Sequence, residues 1–177
     1  MKRVTILGST GSVGRNALEV IAARPEYFEV TALACRENVT LLIEQARRFR
    51  VKRLGVSDPK QSELLRKEIP SAELFVGEEG IRQLAGIKES DIVLVAIGGA
   101  KALEPTLEAI RAGKQVAIAN KESLVMAGEL LKKEATRAGA LLLPVDSEHN
   151  AVFQCLDQRN RSELKRIILT GSGGPLR

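Results

Sequence analysis

Short apolar runs alternate with longer stretches whose apolar residues recur every three or four positions, from the first residues to about position 145. Val4 to Leu7 reads as a buried strand and Ser12 to Ala23 as a helix. Phe28 to Ala34, rich in Val, Thr and Leu, reads as a second strand. Leu41, Leu42, Ala46 and Phe49 then recur at helical spacing, with either Asn38 or Thr40 as the cap. Arg53 to Ser57 and Glu73 to Val76 are weaker strands, and Pro59 can open a helix between them. Ile92 to Ile97 is the clearest strand, a continuous apolar run of the kind that suits a parallel strand covered on both faces. Gly98-Gly99 breaks it. Glu104 to Ala112 reads as a helix closed by Gly113, and Gln115 to Ala119 as a strand. A long helix from about Ser123 to Ala138 ends at Gly139, before a last strand from Leu141 to Val145. Such alternation predicts an α/β fold, a doubly wound and mostly parallel sheet.

After Val145 the pattern changes. Asp146-Ser-Glu-His-Asn150 is polar and follows a strand directly. Ala151 to Leu156 reads as a short helix and Leu164 to Leu169 as a strand, before the glycine-rich stretch Gly171-Ser-Gly-Gly-Pro-Leu-Arg177. Residues 1–145 are therefore read as one nucleotide-binding domain. Residues 146–177 are read as the start of a second domain whose remainder is absent, or else as an extra strand on the first sheet.

Composition narrows the function. Aromatic residues make up 3% of the chain and Trp is absent, which argues against a base-stacking platform for single-stranded nucleic acid. The net charge of +5 contains no run of five or more Lys or Arg and fits small phosphorylated ligands. Cys35 and Cys155 form no CxxC, so neither a zinc ribbon nor a redox pair is expected, and free thiols in a reducing compartment are. The apolar run at Val4 to Leu7 is too short for a signal peptide, and no stretch approaches the ~20 residues that span a bilayer. A cytoplasmic protein without nucleic-acid or membrane partners is expected.

Gly8, Gly11 and Gly14 fall between the first strand and the first helix. Glycines there permit a tight turn and a close approach of backbone to a pyrophosphate, in front of a helix N-terminus with free N–H groups. The spacing GxxGxxG departs from GxGxxG, but its place after the first strand matches a Rossmann-type dinucleotide site. The second strand should choose the cofactor, an acidic residue favouring NAD and a basic one NADP. It ends at Cys35-Arg36-Glu37-Asn38. Arg36 favours NADP, Asn38 can donate to ribose or phosphate oxygens, and Glu37 points the other way if it faces the ribose.

Two further constellations lie at strand ends. Asn120-Lys121-Glu122-Ser123 would face the crevice and meet the nicotinamide end of a cofactor or a substrate oxygen. It would equally start a helix, with Asn120 as cap. Asp146 and Glu148, with Ser147 between and His149 beside them, resemble part of a Mg²⁺ or Mn²⁺ site, though two carboxylates do not complete a coordination sphere. A helix N-terminus accounts for the same residues. Gly171-Ser172-Gly173-Gly174 could place N–H groups and a hydroxyl around a phosphate, or form a plain loop.

Taken together, LGSTGSVG at 7–14, ANKESLV at 119–125, LPVDSEHNAVFQ at 143–154 and LTGSGGPLR at 169–177 resemble the 1-deoxy-D-xylulose 5-phosphate reductoisomerases. The resemblance implies an NADPH-dependent enzyme of the non-mevalonate isoprenoid pathway, with a divalent metal (Mg, Mn or Co) and a small phosphorylated sugar substrate, homodimeric at full length. It implies that Thr10, Gly11, Ser12 and Val13 line the NADPH phosphates, with Arg36, Asn38, Asn120 and Glu122 as further cofactor contacts. It implies catalytic roles for Lys121 and Glu148, metal binding by Asp146 and Glu148, and substrate binding by Lys121, Ser147, Glu148 and Ser172. His149 would support the site near the substrate. Many family members carry Gly-Lys-Asn where this chain has Arg36-Glu37-Asn38, so Arg36 would supply the positive charge from a shifted position. Family members continue for roughly as many residues again, and this chain is expected to bind NADPH without turning over. Another Rossmann dehydrogenase, such as homoserine dehydrogenase, or a stand-alone nucleotide-binding module is the alternative.

Overall fold

A computed structural model of the chain describes residues 1–156 and 161–169. Seven strands form one sheet: β1 (Lys2–Leu7), β2 (Phe28–Cys35), β3 (Arg53–Val56), β4 (Glu73–Val76), β5 (Ile92–Val95), β6 (Gln115–Ile118) and β7 (Leu141–Pro144). Their spatial order is β4-β3-β2-β1-β5-β6-β7, and every neighbouring pair is parallel. The expected doubly wound sheet is thus present, with the strand order reversing between β1 and β5, where ligands settle in folds of this kind.

The connecting helices are α1 (Ser12–Ala22), α2 (Val39–Phe49), α3 (Ser62–Glu68), α4 (Gly77–Ala85), α5 (Leu103–Arg111) and α6 (Lys121–Ala138), followed by α7 (Ser147–Leu156). Alternation along the strands splits the core in two. Val4, Ile6, Leu33 and Leu54 pack with Leu18 of α1, Leu42 of α2 and Leu65 of α3. Leu7, Ala34, Val93 and Val116 pack with Leu84 of α4, Ile110 of α5 and Leu131 of α6. The sheet is therefore buried on both faces, which is why β5 reads as an unbroken apolar run.

Several boundaries differ from expectation. Pro59 opens a 3-10 turn, Pro59–Gln61, and α3 follows it. Helix α4 was not legible: acidic residues in its first turn favour it, but Gly77 and Gly80 lower its propensity. Its buried stripe of Ile81, Leu84 and Ala85 secures it by packing alone. Helix α5 ends at Arg111 and is capped by Ala112 rather than by Gly113, which takes a φ of +69° one residue on. Helices α6 and α7 begin earlier than expected, at Lys121 and Ser147, because Asn120 and Asp146 cap them. Inside α6, Ala127 departs from helical geometry, with φ −143° and ψ 24°, and kinks the helix.

The expected strand at Leu164 to Leu169 does not form. These residues carry no regular structure, stay exposed and pair with neither edge of the sheet. The described residues after β7 therefore add no strand to the sheet.

Candidate active site

The turn between β1 and α1 sits at the reversal of strand order, and its three glycines have three different reasons. Gly8 has a φ of +91°, and a Cβ there would lie 2.4 Å from the Ala96 carbonyl oxygen. Gly14 brings α1 against the turn so closely that a Cβ would lie 2.3 Å from the Gly8 oxygen. Gly11 has an ordinary φ of −76°, and a Cβ would make only normal contact, 3.4 Å from the same oxygen. Neither conformation nor packing demands glycine at position 11. What its bare Cα provides is access: Gly11 is the N-cap of α1, no side chain caps that helix, and the residue lines a large cavity. Exposed first-turn N–H groups beside a bare backbone are what a pyrophosphate requires.

That cavity has a volume of about 1040 Å³ and lies over the carboxyl ends of β1, β2, β3 and β5. Thr10 and Gly11 form its floor with Ala96, Ile97 and Gly98 from beyond β5. Gly99 adopts a φ of +74°, and added Cβ atoms at Gly98 or Gly99 would meet nothing within 4 Å. Cys35, Arg36 and Glu37 form one wall. Burial pushes the Cys35 thiol up to about 12.

The opposite wall consists of Glu78, Glu79 and Arg82 of α4 with Lys101 and Glu104. Four of its charges are paired: Arg82 binds Glu79 at 2.6 Å and also Glu108, and Lys101 binds Glu78 at 2.7 Å. Hydrogen bonds from Arg82 and Gln83 hold the Glu79 carboxyl at about 2. Sequence reasoning gave none of these residues a role, because α4 itself was missed.

Arg36 and Glu37 pair with each other across 3.0 Å, their side chains 78% and 61% exposed. The residue favouring NADP and the one favouring NAD therefore share one ion pair on the cavity wall. The Asn38 side chain accepts the Leu41 N–H at 3.2 Å, so Asn38 rather than Thr40 caps α2. Ser12 and Val13 are exposed on the first turn of α1.

Asn120 serves as a cap and also ties two strand ends together. Its Oδ1 accepts the Ser123 N–H at 2.8 Å and the Ser123 hydroxyl at 2.7 Å. Its Nδ2 donates to the Gly99 carbonyl at 3.3 Å, joining the loop beyond β5 to the start of α6. Lys121 and Glu122 follow, exposed, on the first turn.

Beyond β7, Asp146 Oδ1 accepts the His149 N–H at 3.1 Å and lies 2.8 Å from His149 Nδ1. The Asp146 side chain is only 7% exposed, and among the described residues its Oδ2 has no hydrogen-bond partner. A buried carboxylate oxygen left without a partner is costly, and a divalent cation is one group that satisfies it. Ser147 donates to Glu148 Oε2 at 2.8 Å. Among the described residues no three His, Cys, Asp or Glu gather closely enough to hold a metal alone. Ser147 and Glu148 also border a second cavity of about 450 Å³, closed by Arg166 and Leu169, whose part the sequence did not signal. Ser172, expected at the substrate phosphate, lies outside the described residues.

Fold and site define an α/β protein of the Rossmann class, with a glycine turn and a cavity at its strand-order reversal and two carboxylates, Asp146 and Glu148, just beyond its last strand. Residues 4–128 match the family model for 1-deoxy-D-xylulose 5-phosphate reductoisomerase, and residues 142–177 match that for the C-terminal domain of the same enzyme. The chain belongs to the 1-deoxy-D-xylulose 5-phosphate reductoisomerase family. It is 52% identical over its whole length to the reductoisomerase of Thermodesulfovibrio yellowstonii, of which it covers 46%. The Zymomonas mobilis reductoisomerase in complex with NADPH superposes with a TM-score of 0.90 at 43% identity, covering 98% of this chain and 46% of that one. A reductoisomerase in complex with NADPH, fosmidomycin and magnesium gives 0.85 at 38% identity, over 89% of this chain and 40% of that one. The chain thus spans about half the length of the relatives it matches. The homoserine dehydrogenase of Archaeoglobus fulgidus, at 20% identity and a TM-score of 0.53, shares the fold alone. Among the described residues, no helix is long and apolar enough to cross a membrane.

Proposed function

We propose that residues 1–145 form the NADPH-binding domain of a reductoisomerase that converts 1-deoxy-D-xylulose 5-phosphate to 2-C-methyl-D-erythritol 4-phosphate, and that residues 146–177 begin its catalytic domain. The observation that carries this reading is the cavity at the strand-order reversal, floored by a glycine turn whose middle glycine is free of any structural demand. Thr10, Gly11, Ser12 and Val13 cradle the diphosphate. Arg36 meets the 2′-phosphate, with its charge tempered by Glu37. Asn38, Asn120 and Glu122 complete the cofactor contacts, and NADPH supplies the hydride.

The unpartnered Asp146 oxygen fits a hard divalent cation, held with Glu148 and with ligands from substrate, water and further protein. Such a cation supplies Lewis-acid stabilisation of negative charge on substrate oxygens during the carbon–carbon rearrangement. Lys121, exposed on the first turn of α6, supplies a positive charge for a substrate oxygen, and Ser147 and Glu148 hold the sugar hydroxyls. His149 keeps Asp146 in place through its ring and its backbone. Ser172 would meet the substrate phosphate. The reading includes a homodimeric, cytoplasmic enzyme at full length with no nucleic-acid partner, supported by the family resemblance and by an aromatic content of only 3%.

Titration of the chain with NADPH, followed by cofactor fluorescence, tests the first part: saturable binding that is tighter than for NADH is expected, and no binding overturns it. Calorimetry with Mn²⁺ tests the second, by comparing the chain with its Asp146→Asn variant.

A further inference from the structure

Gln45 is the one polar residue on the buried face of α2, 7% exposed among Leu42, Ile43 and Ala46. An apolar residue would fill that position without the cost of desolvating an amide. The amide is paired instead, and both of its bonds go to one residue of the glycine turn. The Ser9 hydroxyl, itself fully buried, donates to Gln45 Oε1 at 2.7 Å, and Gln45 Nε2 donates to the Ser9 carbonyl at 2.9 Å. The Ser9 N–H goes to the Ala34 carbonyl at 2.8 Å, so every polar group of Ser9 is committed inward.

This has a consequence for the next peptide group. A trans peptide sets its C=O and its N–H in opposite directions. With the Ser9 carbonyl drawn towards α2, the Thr10 N–H points away from α2. Among the described residues that N–H has no backbone partner, and Thr10 lines the large cavity. Were the peptide to rotate, the Ser9 carbonyl would face the anion in place of the N–H. Neither Ser9 nor Gln45 lines the cavity.

We propose that Gln45 is a positioning residue for the cofactor diphosphate: its side-chain amide locks the Ser9–Thr10 peptide so that the Thr10 N–H is presented to the phosphates. This rests on the NADPH-binding reading above. The effect is confined to the phosphate turn, so it separates ligands by whether they carry a diphosphate. NADPH does, and adenosine 2′-monophosphate, which offers only the adenine end and the 2′-phosphate, does not.

The test compares the chain with Gln45→Met, which keeps the side-chain length and removes both hydrogen-bonding atoms. NADPH affinity is expected to fall about tenfold, the loss of one well-placed hydrogen bond to a charged group. Affinity for adenosine 2′-monophosphate, read by calorimetry, should stay within about twofold. Equal losses for both ligands, or unchanged NADPH affinity, overturn the proposal. Should Gln45→Met unfold by circular dichroism, Ser9→Ala carries the same comparison, since it removes one of the two bonds. Again a loss selective for NADPH upholds the assignment, and equal or absent losses overturn it. Failure of the unaltered chain to bind NADPH would count against the cofactor reading itself and is seen in the control arm.

Discussion

A methyl group placed on Gly14 would lie 2.3 Å from the carbonyl oxygen of Gly8, and 2.6 Å from the Ser9 Cα. The atoms it meets are backbone, so relief requires α1 to move away from the sheet. Gly14→Ala is therefore expected to destabilise the whole chain by about 2 kcal/mol or more, as overpacking against a rigid neighbour does. Gly11→Ala should leave the melting temperature nearly unchanged and weaken NADPH binding severalfold by placing a methyl group at the anion site. Thermal melts of the two variants, each paired with an NADPH titration, check the contrast. A stable Gly14→Ala chain would contradict it.

The fold was legible wherever the period of apolar residues was long and uninterrupted. Ile92 to Val95 is buried from both sides and reads as a strand without ambiguity. Gly77–Ala85 was not legible because its helix is short, opens on glycine and derives its stability from contacts with the sheet. Leu164 to Leu169 shows the converse: six residues with a strand-like sequence remain irregular, because propensity alone does not make a strand without pairing. In the site, the sequence offered candidate residues but not their hydrogen-bond partners. Asn120 was open between cap and crevice, and the structure shows a cap that also binds the Gly99 carbonyl. Gln45 could not be singled out at all, since in the sequence it is one more polar position on a helix.

Away from the site, Asp91 ties the start of β1 to the loop before β5. It accepts the Arg3 backbone N–H at 2.9 Å and the Arg3 guanidinium at 2.8 and 3.2 Å. Those hydrogen bonds hold the Asp91 carboxyl well below the usual carboxylate range. Because the folded-state value is depressed, its contribution is fully present above the unfolded value near 3.9 and is lost as pH falls below it. Asp91→Asn should therefore be less stable than the parent chain at pH 7, and the difference should shrink as the pH is taken from about 5 towards 2. Urea unfolding at a series of pH values measures this. A difference independent of pH would show that the carboxylate charge is not involved.

The two thiols should react very differently. Cys35 is 3% exposed and its thiol is pushed up to about 12 by burial, whereas Cys155 is exposed on α7. The thiolate is the reactive form, so at pH 8 an aromatic disulfide reagent should modify Cys155 rapidly and Cys35 only on unfolding. One fast equivalent followed by a second in denaturant is the expected record. Cys155→Ser should abolish the fast phase, and a remaining fast thiol would mean that the end of β2 opens.

The hydroxyl of Thr5 offers a route to a more stable chain. Thr5 lies in the central strand β1, fully buried, and among the described residues its Oγ1 has no hydrogen-bond partner. Leaving a buried hydroxyl unpaired costs about 1–3 kcal/mol, while valine has nearly the same shape and no polar atom to desolvate. Valine also suits a strand covered on both faces. Thr5→Val is thus expected to raise stability by about 1 kcal/mol, with no change in NADPH affinity because the side chain lies in the core away from the cavity. Chemical denaturation should show a higher midpoint at unchanged slope. A lower midpoint would mean that the hydroxyl is satisfied in solution by a buried water.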